Sequence, residues 1–214
     1  MPELTERLAR RAIERSVGDR HTEYVQEMQR IVEATYGLIE RKGAVDPSLR
    51  DILRETGLST QSFYRYFQSK DELLLLLLDD GRRRLLSYLE HRMAGASDPA
   101  GRIRAWIEGV LAQAGRPDAA ARTRPFLAHQ DRLIESFPEE QQASVDLLVD
   151  LLVPGLEELA GSDRARRRDA RRDAVAIYQL TFAALHTHLA HSTAPTPAAI
   201  DHLVRFSLRG AGVT

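Results

Sequence analysis

The chain has 214 residues, enough to bury a core without help from disulfides or metals. It contains no cysteine, which excludes thiolate catalysis, redox chemistry and cysteine-based zinc sites. Thirty Lys and Arg face 31 Asp and Glu, a formal net charge of −1, so any surface for a polyanion has to be local.

The start, MPELTERLARRAIERS, is charged and lacks the apolar centre of a signal peptide. The longest purely apolar run, residues 73–78, falls far short of the ~20 residues a membrane span needs. A cytoplasmic protein with no membrane segment is expected. Residues 1–20 hold Arg7, Arg10, Arg11, Arg15 and Arg20 beside a thin apolar stripe and read as a basic arm. Across 21–42, Tyr24, Met28, Ile31, Thr35 and Leu38 recur at helical spacing, and Gly43 is a stop signal. A second helix then opens either on Asp46 followed by Pro47, or on Ser48 with Asp51 three residues on; it buries Leu49, Ile52 and Leu53 and ends at Gly57. Ser59 caps a third helix over 60–68. Ser69 and Glu72 form a capping box for a fourth, which runs to about residue 93 with Gly81 weakening its middle.

Helical segments follow over about 100–114, 118–136, 139–160, 164–191 and 198–209, punctuated by Gly and Pro, with breaks or kinks expected at Pro125 and Pro154. No strand alternation and no internal repeat is visible. The predicted fold class is all-α: an N-terminal three-helix helix-turn-helix unit followed by a larger C-terminal helix bundle, about nine helices in total. The predicted domains are the arm (1–20), the helix-turn-helix unit (21–74) and the bundle (75–214).

The second and third helices, joined through Gly57, have the size of a helix-turn-helix, which many helical hairpins share. What the third helix exposes is more specific. Phe63 and Phe67, four apart, face inward with Leu58, leaving Thr60, Gln61, Tyr64 and Arg65 on the other side. Hydroxyl, amide and guanidinium groups suit the base edges and phosphates of a DNA groove. Residues 58–70 carry Arg65 and Lys70 and no carboxylate. The helix starts capped by Ser59 and Ser69 offer free N–H groups to phosphate, and Lys70 adds a positive charge there.

The runs Ile52-Leu53-Arg54-Glu55-Thr56-Gly57-Leu58-Ser59 and Phe63-Tyr64-Arg65-Tyr66-Phe67-Gln68-Ser69-Lys70-Asp71-Glu72-Leu73 resemble the DNA-binding signature of the TetR (tetracycline repressor) family, over about residues 31–74. The resemblance implies a homodimer with an N-terminal reading head and a variable effector domain, usually a repressor released by a small molecule. It also implies that Arg50 lies near base edges or backbone. Thr60, Gln61, Ser62, Tyr64 and Arg65 then form the reading surface, while Tyr66 and Lys70 hold the DNA backbone; Ser59, at the capped start of the helix, is counted among the DNA-binding residues. This chain departs from the family's usual residues at Leu53, Gln61 and Tyr66, and the long Gln61 obscures the preferred sequence.

In the bundle, residues 174–189 are apolar around most of the helix. With Ile200, Leu203, Val204, Phe206 and Leu208 they suit half of a four-helix dimer interface built from the last two helices. An unknown small-molecule effector is expected inside the bundle, with Trp106, Phe126, His129, Phe137, Tyr178 and Phe182 as candidate lining residues and ordinary core packing as the competing reading of each. His186, His188, His191 and His202 diverge on their helices, so core-edge or interface roles are favoured over a metal site. Asp163, Asp169 and Asp173 punctuate the arginines of 164–172, as on a solvated helix face. No cofactor is expected. An enzyme reading lacks a phosphate loop, a nucleophile elbow or a His/carboxylate motif. The alternative is a helical protein–protein adaptor that does not bind DNA.

Overall fold

A computed structural model describes residues 21–42 and 47–212; the basic arm and Asp46 lie outside the described residues. Ten helices are described: α1 (His21–Lys42), α2 (Leu49–Thr56), α3 (Thr60–Tyr66), α4 (Lys70–Ala94), α5 (Pro99–Gly115), α6 (Pro117–Ser136), α7 (Pro138–Asp150), α8 (Val153–Ala160), α9 (Arg164–His191) and α10 (Pro197–Gly210). No strand occurs among the described residues. The all-α class holds. The tenth helix arises because the segment expected over 139–160 is interrupted after Asp150 and restarts at Val153, with Pro154 in its first turn, where the missing N–H costs nothing. Pro125 has no such effect, and α6 runs helical through it.

Most boundaries follow local chemistry. Ser48 is the cap of α2, its Oγ accepting from Asp51 N–H at 3.2 Å. Gly57 ends that helix at φ 70°, a left-handed conformation that favours glycine. Asp98 and Thr196 accept from Gly101 and Ala199 N–H to start α5 and α10, each just before a proline, and Asp163 takes the Ala165 and Arg166 N–H groups at the start of α9.

The described residues fall into two compact units, one of residues up to 81 with 121–140, the other of 82–120 with 141 onward. The first is centred on Met28, Ile31, Ile52, Phe63, Phe67 and Leu73–Leu77, joined by Leu133 of α6. Two polar contacts fasten α6 to it: Arg132 pairs with Asp71 at 2.5 Å, and the Arg122 guanidinium stands 5.2 Å over the Tyr36 ring. The Tyr36 hydroxyl donates to the Leu77 carbonyl. Gly81 leaves it room, since a Cβ there would sit 3.3 Å from the hydroxyl oxygen. This explains a glycine in the middle of a continuous α4.

In the second unit α9 packs on α5 and α8, and α10 on α5 and α9. Its core includes Ile103, Trp106, Ile107, Leu148, Ile177 and Leu185. Of the apolar face expected on α9, Ala174, Ile177, Leu185 and Leu189 are buried, whereas Leu180 is 40 % exposed.

Gly57→Ala tests the turn. A Cβ at Gly57 has nothing within 4 Å, so the substitution acts through backbone strain alone. It is expected to lower the stability of the first unit by about 1–2 kcal/mol, read as a reduced urea midpoint at unchanged slope.

Candidate nucleic-acid interface and effector site

The third helix is short and owes its place to its inward side. Phe63 and Phe67 are fully buried, their rings 5.3 Å apart and tilted, within the core made by α1, α2 and α4. Ser59 caps α3, its Oγ accepting from Ser62 N–H at 3.0 Å and lying 2.8 Å from the Ser62 hydroxyl. Phe67 leaves the helix in an extended conformation. Its N–H still reaches the Phe63 carbonyl at 2.9 Å, and α3 ends at Tyr66, two residues earlier than the expected 68.

With the phenylalanines inside, Thr60, Gln61, Tyr64 and Arg65 are exposed, and Ser62 is partly so. Tyr64 is 51 % exposed, its ring edge-on to Phe63 with centroids 5.6 Å apart. Arg50, on α2, is exposed as well. Tyr66 is half-buried and packs on Tyr24 of α1 with ring centroids 5.3 Å apart; burial, helped by the nearby Glu27 charge, pushes its hydroxyl pKa up. Lys70 stands at the start of α4, half-buried. There the Ser69 Oγ accepts from Glu72 N–H at 3.2 Å. The Glu72 carboxylate takes the N–H of Gln68 at 2.5 Å, one residue before the partner a capping box would use.

Three other arginines of this unit are paired with carboxylates. Arg30 pairs with Glu27, Arg41 with Glu55, and Arg54 with Asp51 at 2.7 Å. Among the described residues neither Arg50 nor Arg65 has an ion pair, so these two guanidinium groups stay available to an external anion.

Of the bundle residues singled out for an effector, Trp106, Tyr178 and Phe182 come together. Tyr178 and Phe182 stack with centroids 4.3 Å apart, each 6.4 Å from the Trp106 ring. Trp106 is fully buried and donates Nε1–H to the Leu148 carbonyl at 3.2 Å. Phe137 packs instead against the core of the first unit, and the side chains of Phe126 and His129 lie outside the described residues. The structure adds His186, edge-on to Phe182 at 6.2 Å; in the same unit Arg82 Nη1 donates to Gln141 Oε1 at 2.9 Å. Arg82 follows Gly81 in a run of three arginines, a faint signal in sequence; nothing in sequence marks Gln141. Burial raises the Tyr178 hydroxyl pKa against the opposing charge of Arg82. Burial and then Arg82 lower that of His186, so both side chains are neutral near pH 7.

The remaining histidines have local partners. His188 Nδ1 lies 2.8 Å from the Thr193 hydroxyl and His191 Nδ1 2.8 Å from the Thr187 carbonyl. An open groove of about 790 Å³ lies along Arg168, Asp169, Arg171, Arg172 and Val175 of α9. Arg171 there bridges Asp146 and Asp150, and Arg172 pairs with Asp169 at 3.0 Å, so much of its positive charge is already matched.

Residues 31–77 match the family described as bacterial regulatory proteins, tetR family. A curated relative, an uncharacterized HTH-type transcriptional regulator in the lacX 3' region of Lactococcus lactis subsp. lactis, is 42 % identical over 52 residues, which are 24 % of this chain and 26 % of the relative. The match thus spans about a quarter of that protein's length. Over the whole chain the likeness is one of fold. Salmonella enterica GusR superposes with a TM-score of 0.63 at 16 % identity, covering 91 % of this chain and 98 % of its own. RolR, solved in complex with the ligand resorcinol, gives 0.58 at 18 % identity over 91 % and 92 %. Residues 31–77 thus match the helix-turn-helix segment of this family, and the chain as a whole shares the all-helical fold of these structures.

His186 provides a pH test with a defined sign. Its folded-state pKa lies below the ordinary 6.5, so the unfolded chain binds the proton more readily. The stability it contributes is fully present above about pH 6.5 and is lost as pH falls through the folded pKa. An NMR titration is expected to place its midpoint below 6.5, and His186→Gln to flatten the decline in thermal midpoint between about pH 7 and 5.

Proposed function

We propose that this chain, whose residues 31–77 match the tetR family of bacterial regulatory proteins, is a regulator of that kind, binds operator DNA as a homodimer and is released from it by a small molecule held in the C-terminal bundle. The observation that carries DNA binding is the two-sided α3. Two buried phenylalanines fix it and leave Thr60, Gln61, Tyr64 and Arg65 exposed, and Arg50 on α2 is exposed too, with no ion pair among the described residues. An α-helix of this kind enters the major groove, where amide and guanidinium groups discriminate base edges. We assign Ser59, Ser62, Tyr66 and Lys70 to the DNA backbone or to support of the reading surface. A protein–protein adaptor has no need of such a cationic edge.

We assign reading to residues 21–74, and effector binding and dimerisation to 75–214. The open side of α9 at Leu180 and of α10 at Phe206, 57 % exposed, supports pairing of the last two helices with a second copy. Two heads in a dimer engage one duplex when they are about 34 Å apart, one helical turn, and an effector that alters this spacing releases them. The ligand complex of RolR supports the effector half of the reading. Among the described residues no helix is long and apolar enough to cross a membrane, which fits the cytoplasmic location that operator binding requires.

The test is fluorescence anisotropy with the duplex upstream of the chain's own gene and with a random duplex, across a salt series. Specific binding that weakens steeply with salt is expected; equal binding to both duplexes, or none, contradicts the proposal. Lys70→Ala is expected to weaken binding to both duplexes and to reduce the salt slope by about one unit, whereas Tyr64→Ala mainly narrows the difference between them.

A further inference from the structure

Helix α10 has a slender hold on its own unit. Of its 14 residues Val204 and Ser207 are buried, and the Ser207 hydroxyl has no hydrogen-bond partner, so part of that burial costs stability. Ile200, Leu203 and Leu208 are half-buried, and Phe206 stands exposed on the outer side. A helix of this length is marginal without further fastening.

Two arginines from other helices supply it. Near the start of α10, Arg104 of α5 donates from Nη1 to Asp201 Oδ1 at 2.6 Å, and this bond holds the Asp201 carboxyl below the usual carboxylate range. Arg104 is itself oriented by one oxygen of Glu108 at 3.3 Å, while Arg92 of α4 takes the other oxygen at 3.1 Å. The ion pair therefore belongs to a chain of charges and is not isolated. At the far end, Arg166 of α9 donates from Nη2 to the Ala211 carbonyl at 2.8 Å, a cation at the negative end of the α10 dipole, although its own Nε is buried with no acceptor. Gly212 crosses this guanidinium at φ 78°, and a Cβ there would stand 2.9 Å from Nε, so conformation and contact both call for glycine.

We infer that α10 is a separately releasable helix clamped at both ends, by Arg104 through Asp201 and by Arg166 through the Ala211 carbonyl, and that these clamps seat the face a second copy of the chain meets. This rests on the dimer half of the proposed function and adds how the pairing face is held. Burial of apolar surface does not weaken in salt, but a half-exposed ion pair does, so dimerisation is tied to ionic strength through Arg104 and Asp201. Only seated helices pair, and both copies must be seated, so the dimer Kd rises with the inverse square of the seated fraction.

The full chain is followed by hydrogen exchange of the amides of 200–210 and by sedimentation across concentration, in about 0.1 M and about 1 M sodium chloride. Arg104→Gln and Asp201→Asn are each expected to speed exchange in α10 about fivefold, leaving the core amides of Ile177 and Leu185 unchanged. Together they are expected to do little more than either alone, because they remove the same bond. Arg104→Lys keeps the charge and recovers part of the protection. Arg166→Met acts at the other end, so its effect multiplies with that of Arg104→Gln. High salt speeds α10 exchange and weakens the dimer of the parent chain, and does neither in Arg104→Gln. Unchanged exchange in Arg104→Gln, or fully multiplicative effects of Arg104→Gln and Asp201→Asn, overturns the clamp; faster exchange with an unmoved dimer Kd overturns its role in pairing. If Arg166→Met fails to fold, the Arg104–Asp201 cycle and the salt comparison still decide. A chain that sediments as a monomer at every concentration counts against the dimer reading alone, and α10 exchange then decides the clamp. Phe206→Ala touches neither clamp and is expected to weaken the dimer while the Arg104–Asp201 coupling persists.

Discussion

A helix of seven residues has no business persisting in water, because a first turn costs more than its few hydrogen bonds return. In this chain α3 persists because Phe63 and Phe67 are driven into a core already walled by Met28, Ile31, Ile52 and the leucines of α4. Fully burying each phenylalanine is worth about 1.5–3 kcal/mol by transfer. Truncating one costs more, about 3–5 kcal/mol, once the cavity is included. The polar side of α3 is a consequence of that burial: four apart on a helix, the two rings leave one arc outward, and Thr60, Gln61, Tyr64 and Arg65 occupy it. The caps at Ser59 and Ser69 then hold the ends of α3 and α4 without recruiting any of the exposed groups.

Electrostatics on this unit follow a division of labour. Arg30, Arg41 and Arg54 are each matched by a carboxylate on the protein, so they add little to a far field. Among the described residues Arg50 and Arg65 have no such match. A chain whose total charge is close to zero thus presents positive charge where α2 and α3 face outward. The segment 121–140 contributes to this same unit through Leu133 and the Arg132–Asp71 pair. The stability of the proposed reading head is therefore not a property of the N-terminal residues alone.

What was legible in the sequence was whatever local chemistry decides. Ser48, Gly57, Ser59 and Ser69 act on backbone groups within three residues, and the boundaries they set agree with the structure to within two residues. The inward Phe63 and Phe67 were legible for the same reason, since helical spacing places them on one side. Contacts made at long range were not. Of two prolines expected to interrupt helices, Pro154 sits beside a break and Pro125 in an unbroken helix, which the residues themselves do not distinguish. Phe137 carries no mark telling which of two cores it joins. The Arg82–Gln141 bond links residues 59 positions apart, and His186 drew notice only for its neighbours in sequence, whereas Phe182 and Arg82 set its environment.

The central claim, that the outward arc of α3 is the surface that meets DNA, is tested most directly by mapping backbone amide shifts of the labelled chain on adding the operator duplex. The account predicts shifts concentrated in residues 59–70 and at Arg50, with the core amides of Ile31 and Ile52 little changed. A silent α3 with shifts gathered instead along the arginines at the start of α9 would contradict it.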